Sequence, residues 1–224
     1  MPAKLNKTDV EEWLLKKIPK LEELNIYSLD DLKDYINGRL RPPGIVEPPP
    51  NKLRVQHRGH SVKIPKPTII IDSHEHMGYS FDRFPKWIEK TIRKPLRVGD
   101  YTIEGLEDEI VIERKTQEDL VNCVLQERYN FIRYCERLSK FPEKYIEIET
   151  SLTQLKTPYS WSMGHPNAVV GSLLAIQERW HIPIIFADHF ILAEEWTASA
   201  LSKFYTFHWL QKNGYGRYLR DGDI

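Results

Sequence analysis

The sequence predicts an α/β fold, in which short strands and amphipathic helices belong to one domain. Apolar runs rich in β-branched residues are typical of strands, and we predict strands over 68–72, 110–112, 144–149 and 181–187. Apolar residues at helical spacing predict helices over 84–92, 166–180 and 193–210, and a long helix that begins after Thr116. At 224 residues the chain has room for one ordinary domain with additional segments.

The central feature is a predicted β-hairpin over 98–115 that brings charged side chains together. Residues 105–108 have the composition of a turn. Asp100 and Glu113 lie symmetrically about this turn, so they face each other in a regular antiparallel ladder. Because side chains alternate along a strand, Glu113 and Lys115 share a face and Arg114 points away.

This arrangement predicts a metal site. Two adjacent carboxylates repel each other unless a cation lies between them, and ligands that are all oxygen favour Mg²⁺ or Mn²⁺. Lys115 on the same face could orient or activate an attacking water, or stabilise charge on a phosphate. The hairpin therefore has the residues of a metal-dependent phosphodiesterase, although such charges are also common at a solvated strand end.

The full motif resembles a known family. Gly99-Asp100, then Glu113-Arg114-Lys115, then Asp119 fit the string GD…ERKxxxD. This string resembles the XPF family of structure-specific DNA endonucleases, over about residues 67–207. The resemblance implies a restriction-endonuclease-like fold, with a mixed central sheet flanked by helices. It also implies cleavage of branched, flap or nicked DNA by a homodimer, or with a partner protein held through the C-terminal helices.

The run Asp72-Ser-His-Glu75-His76 has two interpretations. His74 and His76 resemble the first metal motif of amidohydrolase-type barrels, and imidazoles at this spacing suit zinc. Such a barrel needs about 250 residues, more than remain in the chain. The run also resembles the Asp-x-Arg-Glu that follows the first strand of XPF-like nucleases, with His74 in place of the arginine. We favour this second interpretation, in which Asp72 binds metal and Glu75 supports the site.

The helix after the hairpin contains two further candidates. Thr116 is predicted to cap it with Asp119 at the third helical position, so Asp119 serves the cap and also belongs to the family string. Arg128 matches an arginine that the family has on this helix near DNA. On one continuous helix Cys123 and Cys135 would be roughly 18 Å apart, too far for a disulfide.

The N-terminal sixty residues are expected to lie outside the catalytic domain. Residues 1–40 predict a small helical module that docks a partner, and five prolines within 41–50 predict a semi-rigid linker that extends to residue 60. The nuclease domain is predicted over 61–212 and a tail over 213–224. Lys63 and Lys66 belong to a basic segment without acidic residues, which could follow DNA phosphates or serve as a solvated connector, and Arg97 belongs to a second basic connector.

Composition provides the remaining limits. With 41% apolar and 29% charged residues the chain resembles ordinary globular proteins, and its net charge of zero gives no global nucleic-acid signal. No apolar run has transmembrane length and the N-terminus lacks a signal-peptide core, so we expect an intracellular protein without a membrane partner.

Together, the hairpin and the resemblance predict a Mg²⁺-dependent endodeoxyribonuclease. Asp100, Glu113 and Asp72 are the expected metal ligands, and Lys115 is expected to orient the water that displaces the 3′ oxygen. Glu75, Arg114 and Asp119 are expected to support the site. Two alternatives remain: a catalytically weak partner that binds DNA or dimerises, and a zinc hydrolase that uses His74 and His76.

Overall fold

The computed structural model describes residues 55–216, together with residues 28, 29 and 46. The predicted N-terminal module, most of the linker and the tail beyond residue 216 lie outside the described residues. The described strands are β1 (Gln56–His57), β2 (His60–Ser61), β3 (Thr68–Asp72), β4 (Lys90–Lys94), β5 (Tyr101–Ile103), β6 (Ile110–Lys115), β7 (Glu143–Ile148) and β8 (Ile184–Phe186). The described helices are α1 (Gln117–Leu125), α2 (Arg128–Leu138), α3 (Leu152–Leu155), α4 (Pro166–Trp180) and α5 (Phe190–Lys212).

A mixed six-stranded sheet has the order β4-β3-β5-β6-β7-β8. The central strand β5 is antiparallel to both of its neighbours, whereas the three remaining pairs are parallel. Helices cover both faces of this sheet, so the α/β prediction with a mixed central sheet is confirmed. Among the described residues, no helix is both long enough and apolar enough to cross a bilayer.

Strand alternation divides the core into two clusters, one on each face of the sheet. Ile110 and Ile112 of β6 pack with α5 residues such as Leu201, and we call this side the α5 face. Val111 packs instead with Leu120 of α1 and residues of α2, and we call this side the α1/α2 face. The same alternation determines where the charged end of β6 points. Glu113 and Lys115 share the α1/α2 face with Val111, whereas Arg114 shares the α5 face with Ile112.

The predicted helix over 84–92 is wrong. Residues 81–89 form turns, and residues 90–94 form strand β4, parallel to β3. One helical turn, in which the Ile88 amide donates to the Phe84 carbonyl at 3.1 Å, accounts for the helix-like spacing of the buried side chains. The Glu89 amide then donates to the Pro67 carbonyl at 2.9 Å and starts the parallel pairing.

The predicted long helix is in fact two. α1 ends at Leu125 and α2 begins at Arg128, so Cys123 and Cys135 lie on different helices and the distance expected for one helix does not apply. The predicted strand over 181–187 is shorter, because His181 ends α4 in a left-handed conformation with φ of 50° and β8 begins only at Ile184.

Candidate active site

The candidate site lies at one end of the sheet, where β3 and β6 end and β5 begins. The Asp72 amide donates to the Asp100 carbonyl at 2.8 Å, and the Asp100 amide donates to the Ile112 carbonyl at 2.9 Å. Tyr101 pairs with Ile112, which is the hairpin register predicted from the sequence. By alternation from the core residues, Asp72, Asp100, Glu113 and Lys115 all project from the α1/α2 face.

Asp100 occupies a break in the ladder. Gly99 before it has a φ of 78°, and a Cβ there would lie 2.0 Å from Val111 Cγ2, so glycine is required at this bend. The Asp100 carboxylate takes the place of a strand partner, since its Oδ2 accepts the Arg114 amide at 2.7 Å. Asp100 therefore contacts β6 twice, through its amide at Ile112 and through its carboxylate at Arg114.

The negative charges of Asp100 and Glu113 are only partly compensated by their neighbours. Burial and the neighbouring Glu113 charge raise the pKa of Asp100 from 3.8 to about 8, against the lowering effects of the Arg114 amide and of Lys115. A carboxylate in this state favours either a proton or an additional cation. The site thus has the electrostatic character of a cation-binding position.

Both oxygens of Glu113 have hydrogen-bond partners. Lys115 Nζ lies 2.5 Å from Glu113 Oε1, and the Tyr134 hydroxyl donates to Oε2. Burial alone would lower the pKa of Lys115, but the Glu113 charge and hydrogen bond raise it above its usual range. Burial, with the Glu113 charge, likewise raises the pKa of the Tyr134 hydroxyl well above its usual range. Both groups therefore keep their protons at neutral pH.

Arg114 lies on the opposite face of the sheet, the α5 face. Its guanidinium makes two hydrogen bonds with Glu149, at 2.6 and 3.0 Å, and a third with Glu75 at 3.3 Å. The rings of Tyr79 and Phe190 lie 5.4 and 5.8 Å from its Cζ. Glu75 is thus held behind the sheet by Arg114, and Glu149 completes this network.

Asp72 binds the connector after β4. Its Oδ1 accepts the Leu96 amide at 2.8 Å, and both of its oxygens lie 3.4 Å from His74 Nδ1. The side chain of His74 is 80% exposed, and His76 is exposed as well. Asp72 therefore neighbours Asp100 through the backbone, whereas the two histidines face solvent.

The remaining predicted site residues lie on α1, on α2, in the connector before Asp100 and before β3. Asp119 is exposed, and its Oδ2 accepts the hydroxyl of Thr116, whose side chain caps α1. Arg128 donates to Ser172 of α4 at 2.7 Å. Arg97 is exposed in the connector that leads to Asp100. Lys63 and Lys66 lie before β3, at the end opposite to Asp72 and roughly 13 Å along the strand, and Lys66 pairs with Glu89 at 3.0 Å.

The donor set fits Mg²⁺ better than zinc. Mg²⁺ is usually held by one or two carboxylates together with waters and substrate phosphates, and Asp100 with Glu113 provides such a pair. Within residues 55–216, no group of three or more His, Cys, Asp or Glu side chains has the spacing of a metal site. A zinc site at His74 and His76 would require such a group.

Tyr134 is the contact that sequence reasoning missed. It lies 21 residues after Glu113, on a helix whose apolar spacing was explained by the core. Its hydroxyl accepts the Gly99 amide at 2.7 Å. Nothing in the local sequence distinguishes this tyrosine from any half-buried aromatic residue, because its role depends on how α2 packs against the hairpin.

Comparisons with known proteins agree with this fold and with the resemblance. XPF from Aeropyrum pernix in complex with DNA superposes with a TM-score of 0.50 and 20% identity, over 63% of this chain and 66% of that one. XPF from Aeropyrum pernix in a separate structure gives 0.51 and 20%, over 62% of each chain. The fold is therefore the restriction-endonuclease-like fold of XPF nucleases. The ERCC4 domain matches residues 71–200, more than half of the chain, and the chain belongs to the ERCC4-domain family.

A sequence relative gives a similar picture over a shorter region. A Methanocaldococcus jannaschii protein named "putative ATP-dependent RNA helicase" is 36% identical over 110 residues. The match covers 49% of this chain and only 12% of that protein. The chain thus spans less than two thirds of each of these three relatives.

Proposed function

We propose that the protein is a Mg²⁺-dependent DNA endonuclease whose active site is formed by Asp100, Glu113 and Lys115. The observation that carries this proposal is the close approach of two carboxylates and a lysine on one sheet face, with the pKa of Asp100 raised to about 8. Membership in the ERCC4-domain family supports the same assignment.

Each side chain has a distinct role in this proposal. Asp100 and Glu113 would hold Mg²⁺, or Mn²⁺, with Asp72 assisting through a bound water, and the cation would supply positive charge to stabilise the scissile phosphate. Lys115 keeps its proton and hydrogen-bonds to the attacking water or to a phosphate oxygen, which orients the attack opposite the 3′ oxygen. The P–O3′ bond breaks as the water oxygen bonds to phosphorus, so the products carry a 5′-phosphate and a 3′-hydroxyl.

The supporting residues act from behind or beside this face. Arg114 holds β6 to Glu75 and Glu149, while Asp119 preserves the start of α1. Arg97 is the DNA contact best placed for the site, since it is exposed three residues before Asp100. Arg128, Lys63 and Lys66 are further proposed contacts, at more distant phosphates. Branched, flap or nicked DNA is the proposed substrate, and a dimer formed through α5 is the proposed assembly.

The test is cutting of an end-labelled DNA flap in Mg²⁺, alongside fork, nicked and linear duplexes. We expect the Asp100→Asn and Lys115→Ala proteins to lose activity. Asp108→Asn changes an exposed carboxylate in the turn at the far end of the same hairpin, and Lys140→Ala changes an exposed lysine after α2. Both controls should cut as the wild type does. Undiminished cutting by Asp100→Asn and Lys115→Ala would contradict the proposal.

A further inference from the structure

Tyr134 connects α2 to both sides of the catalytic hairpin. Its hydroxyl accepts the Gly99 amide from the segment that enters β5, at 2.7 Å. The same hydroxyl donates to Glu113 Oε2 near the end of β6. One side chain from a separate helix therefore bridges the bend before Asp100 and the carboxylate of Glu113.

The direction of these two hydrogen bonds is determined by chemistry. A tyrosine hydroxyl has one proton to donate, whereas a backbone amide can only donate. The Gly99 amide must therefore donate its hydrogen bond to a lone pair of the hydroxyl oxygen. The single phenolic proton is then donated to Glu113. A carboxylate is an acceptor only, so this is the one arrangement that satisfies all three groups.

The result is a carboxylate that is held at two points. Lys115 Nζ contacts Oε1 at 2.5 Å while Tyr134 binds Oε2. Two cations lie near the Tyr134 ring, with Lys115 Nζ at 6.0 Å and the Arg137 Cζ at 5.5 Å from its centroid. These contacts restrict the ring, and through the ring they restrict the orientation of Glu113.

We infer that Tyr134 is a positioning residue that fixes Glu113 in the orientation needed to hold the divalent cation. This inference rests on the proposed function, because it concerns the same site. Residues that orient a metal-ligating carboxylate typically change metal affinity or activity by about 10–100-fold when they are removed. Tyr134 would act at this level without touching either the cation or the DNA.

The test compares Tyr134→Phe with Tyr129→Phe. The first variant keeps the ring and its contacts with cations but removes the hydroxyl. The second removes a hydroxyl from a tyrosine on the same helix that is 71% exposed, so it serves as the matched control. Mn²⁺ titrated into the DNA-free proteins in a calorimeter should give a Kd about tenfold weaker or more for Tyr134→Phe, and an unchanged Kd for Tyr129→Phe. On flap DNA the kcat should fall by a similar factor, with little change in KM.

A second background separates positioning from a general loss of structure. In a Glu113→Asp protein the shorter side chain holds its carboxylate further from the Tyr134 hydroxyl and breaks this hydrogen bond. Adding Tyr134→Phe should therefore not weaken Mn²⁺ binding further. A wild-type Kd for Tyr134→Phe, or an equal loss in the Glu113→Asp background, would overturn the inference and leave the proposed function intact. A wild-type protein that neither binds Mn²⁺ nor cuts DNA would contradict the proposed function and this inference with it.

Discussion

At the residue scale, three consecutive side chains of β6 serve two faces of the sheet. Glu113 and Lys115 project toward the candidate site, whereas Arg114 between them binds Glu149 and Glu75 behind it. Strand alternation alone predicts this division, so it could be read from the sequence. The partners of these side chains could not, because Tyr134 contacts Glu113 from α2 and Glu149 contacts Arg114 from the residue after β7, both distant in the sequence.

Asp100 should make the metal-free protein sensitive to pH. Its pKa is raised from 3.8 to about 8, so the folded state binds this proton more tightly than the unfolded chain does. The stabilisation from this proton is complete below the ordinary pKa of 3.8. The free energy of unfolding then falls as the pH rises from about 4 to about 8. Asp100→Asn cannot ionise, and after allowance for solvent screening it should be more stable than wild type by about 1 kcal/mol or more at pH 8.

Urea unfolding with a chelator at several pH values measures this effect. The gain for Asp100→Asn should disappear below about pH 3, because Asp100 is then protonated in both states. Asp108→Asn, in the exposed turn, should track the wild type throughout. A gain that does not depend on pH would show that Asp100 is not the titrating group.

The same proton should compete with the cation. Because a protonated carboxyl is a poor ligand, Mn²⁺ affinity should rise with pH and level off above about 8, the pKa of Asp100. Calorimetry near pH 7 in buffers of different ionisation enthalpy should detect release of about one proton for each ion bound. Affinity that is flat across this range would be evidence against Asp100 as a ligand.

At the element scale, the bend before β5 depends on Gly99. Gly99→Ala would combine left-handed backbone strain with a Cβ 2.0 Å from Val111 Cγ2, for a loss of about 2–4 kcal/mol in unfolding free energy. Displacement of Asp100 should also reduce cutting. Gly105→Ala is the matched control, because its φ of 81° is similar but no atom of the described residues, apart from its chain neighbours, lies within 4 Å of the added Cβ. It should lose only about 1–2 kcal/mol and keep its activity.

Chemical denaturation and the flap assay measure both effects. Replacing Val111 with alanine in the Gly99→Ala protein removes the clashing methyl and should recover part of the activity. If Gly99→Ala behaves like Gly105→Ala in both assays, the bend is not what places Asp100.

The elements differ in how well they could be predicted. The hairpin register follows from symmetry about its turn, and the capped start of α1 follows from Thr116 and Asp119. Strand β4 was missed because four of its five residues are exposed, so it has no apolar alternation to detect. The break between α1 and α2 at residues 126–127 was missed because apolar spacing continues across it.

At the scale of the whole molecule, each face of the sheet has its own core cluster. The α5 face contains the core of β3, β5 and β6, while the candidate site lies beside α1 and α2 on the other face. Glu194 on α5 accepts the Phe81 amide at 2.8 Å, which ties the helix to the turns before β4. α5 is thus part of the fold itself, yet several of its aromatic residues remain partly exposed.

These half-buried aromatic residues bear on the proposed dimer. If α5 pairs with a second copy, Phe207→Asp should shift the protein to the monomer in sedimentation velocity experiments, because the change places a charge in an apolar interface. Leu174→Asp alters a leucine on α4 that is 57% exposed, and it should leave the assembly unchanged. Equal sedimentation of wild type and Phe207→Asp would argue against α5 as the interface.

A hydrolytic site formed by Asp100, Glu113 and Lys115 is the centre of the proposed function. Its most direct test is the single-turnover rate of cutting a labelled flap in Mg²⁺ by wild type, Lys115→Ala and the exposed control Lys140→Ala. We expect cutting by wild type and by Lys140→Ala, and a loss of about 100-fold or more for Lys115→Ala. Equal rates for all three proteins, or cutting that persists in a chelator, would contradict it.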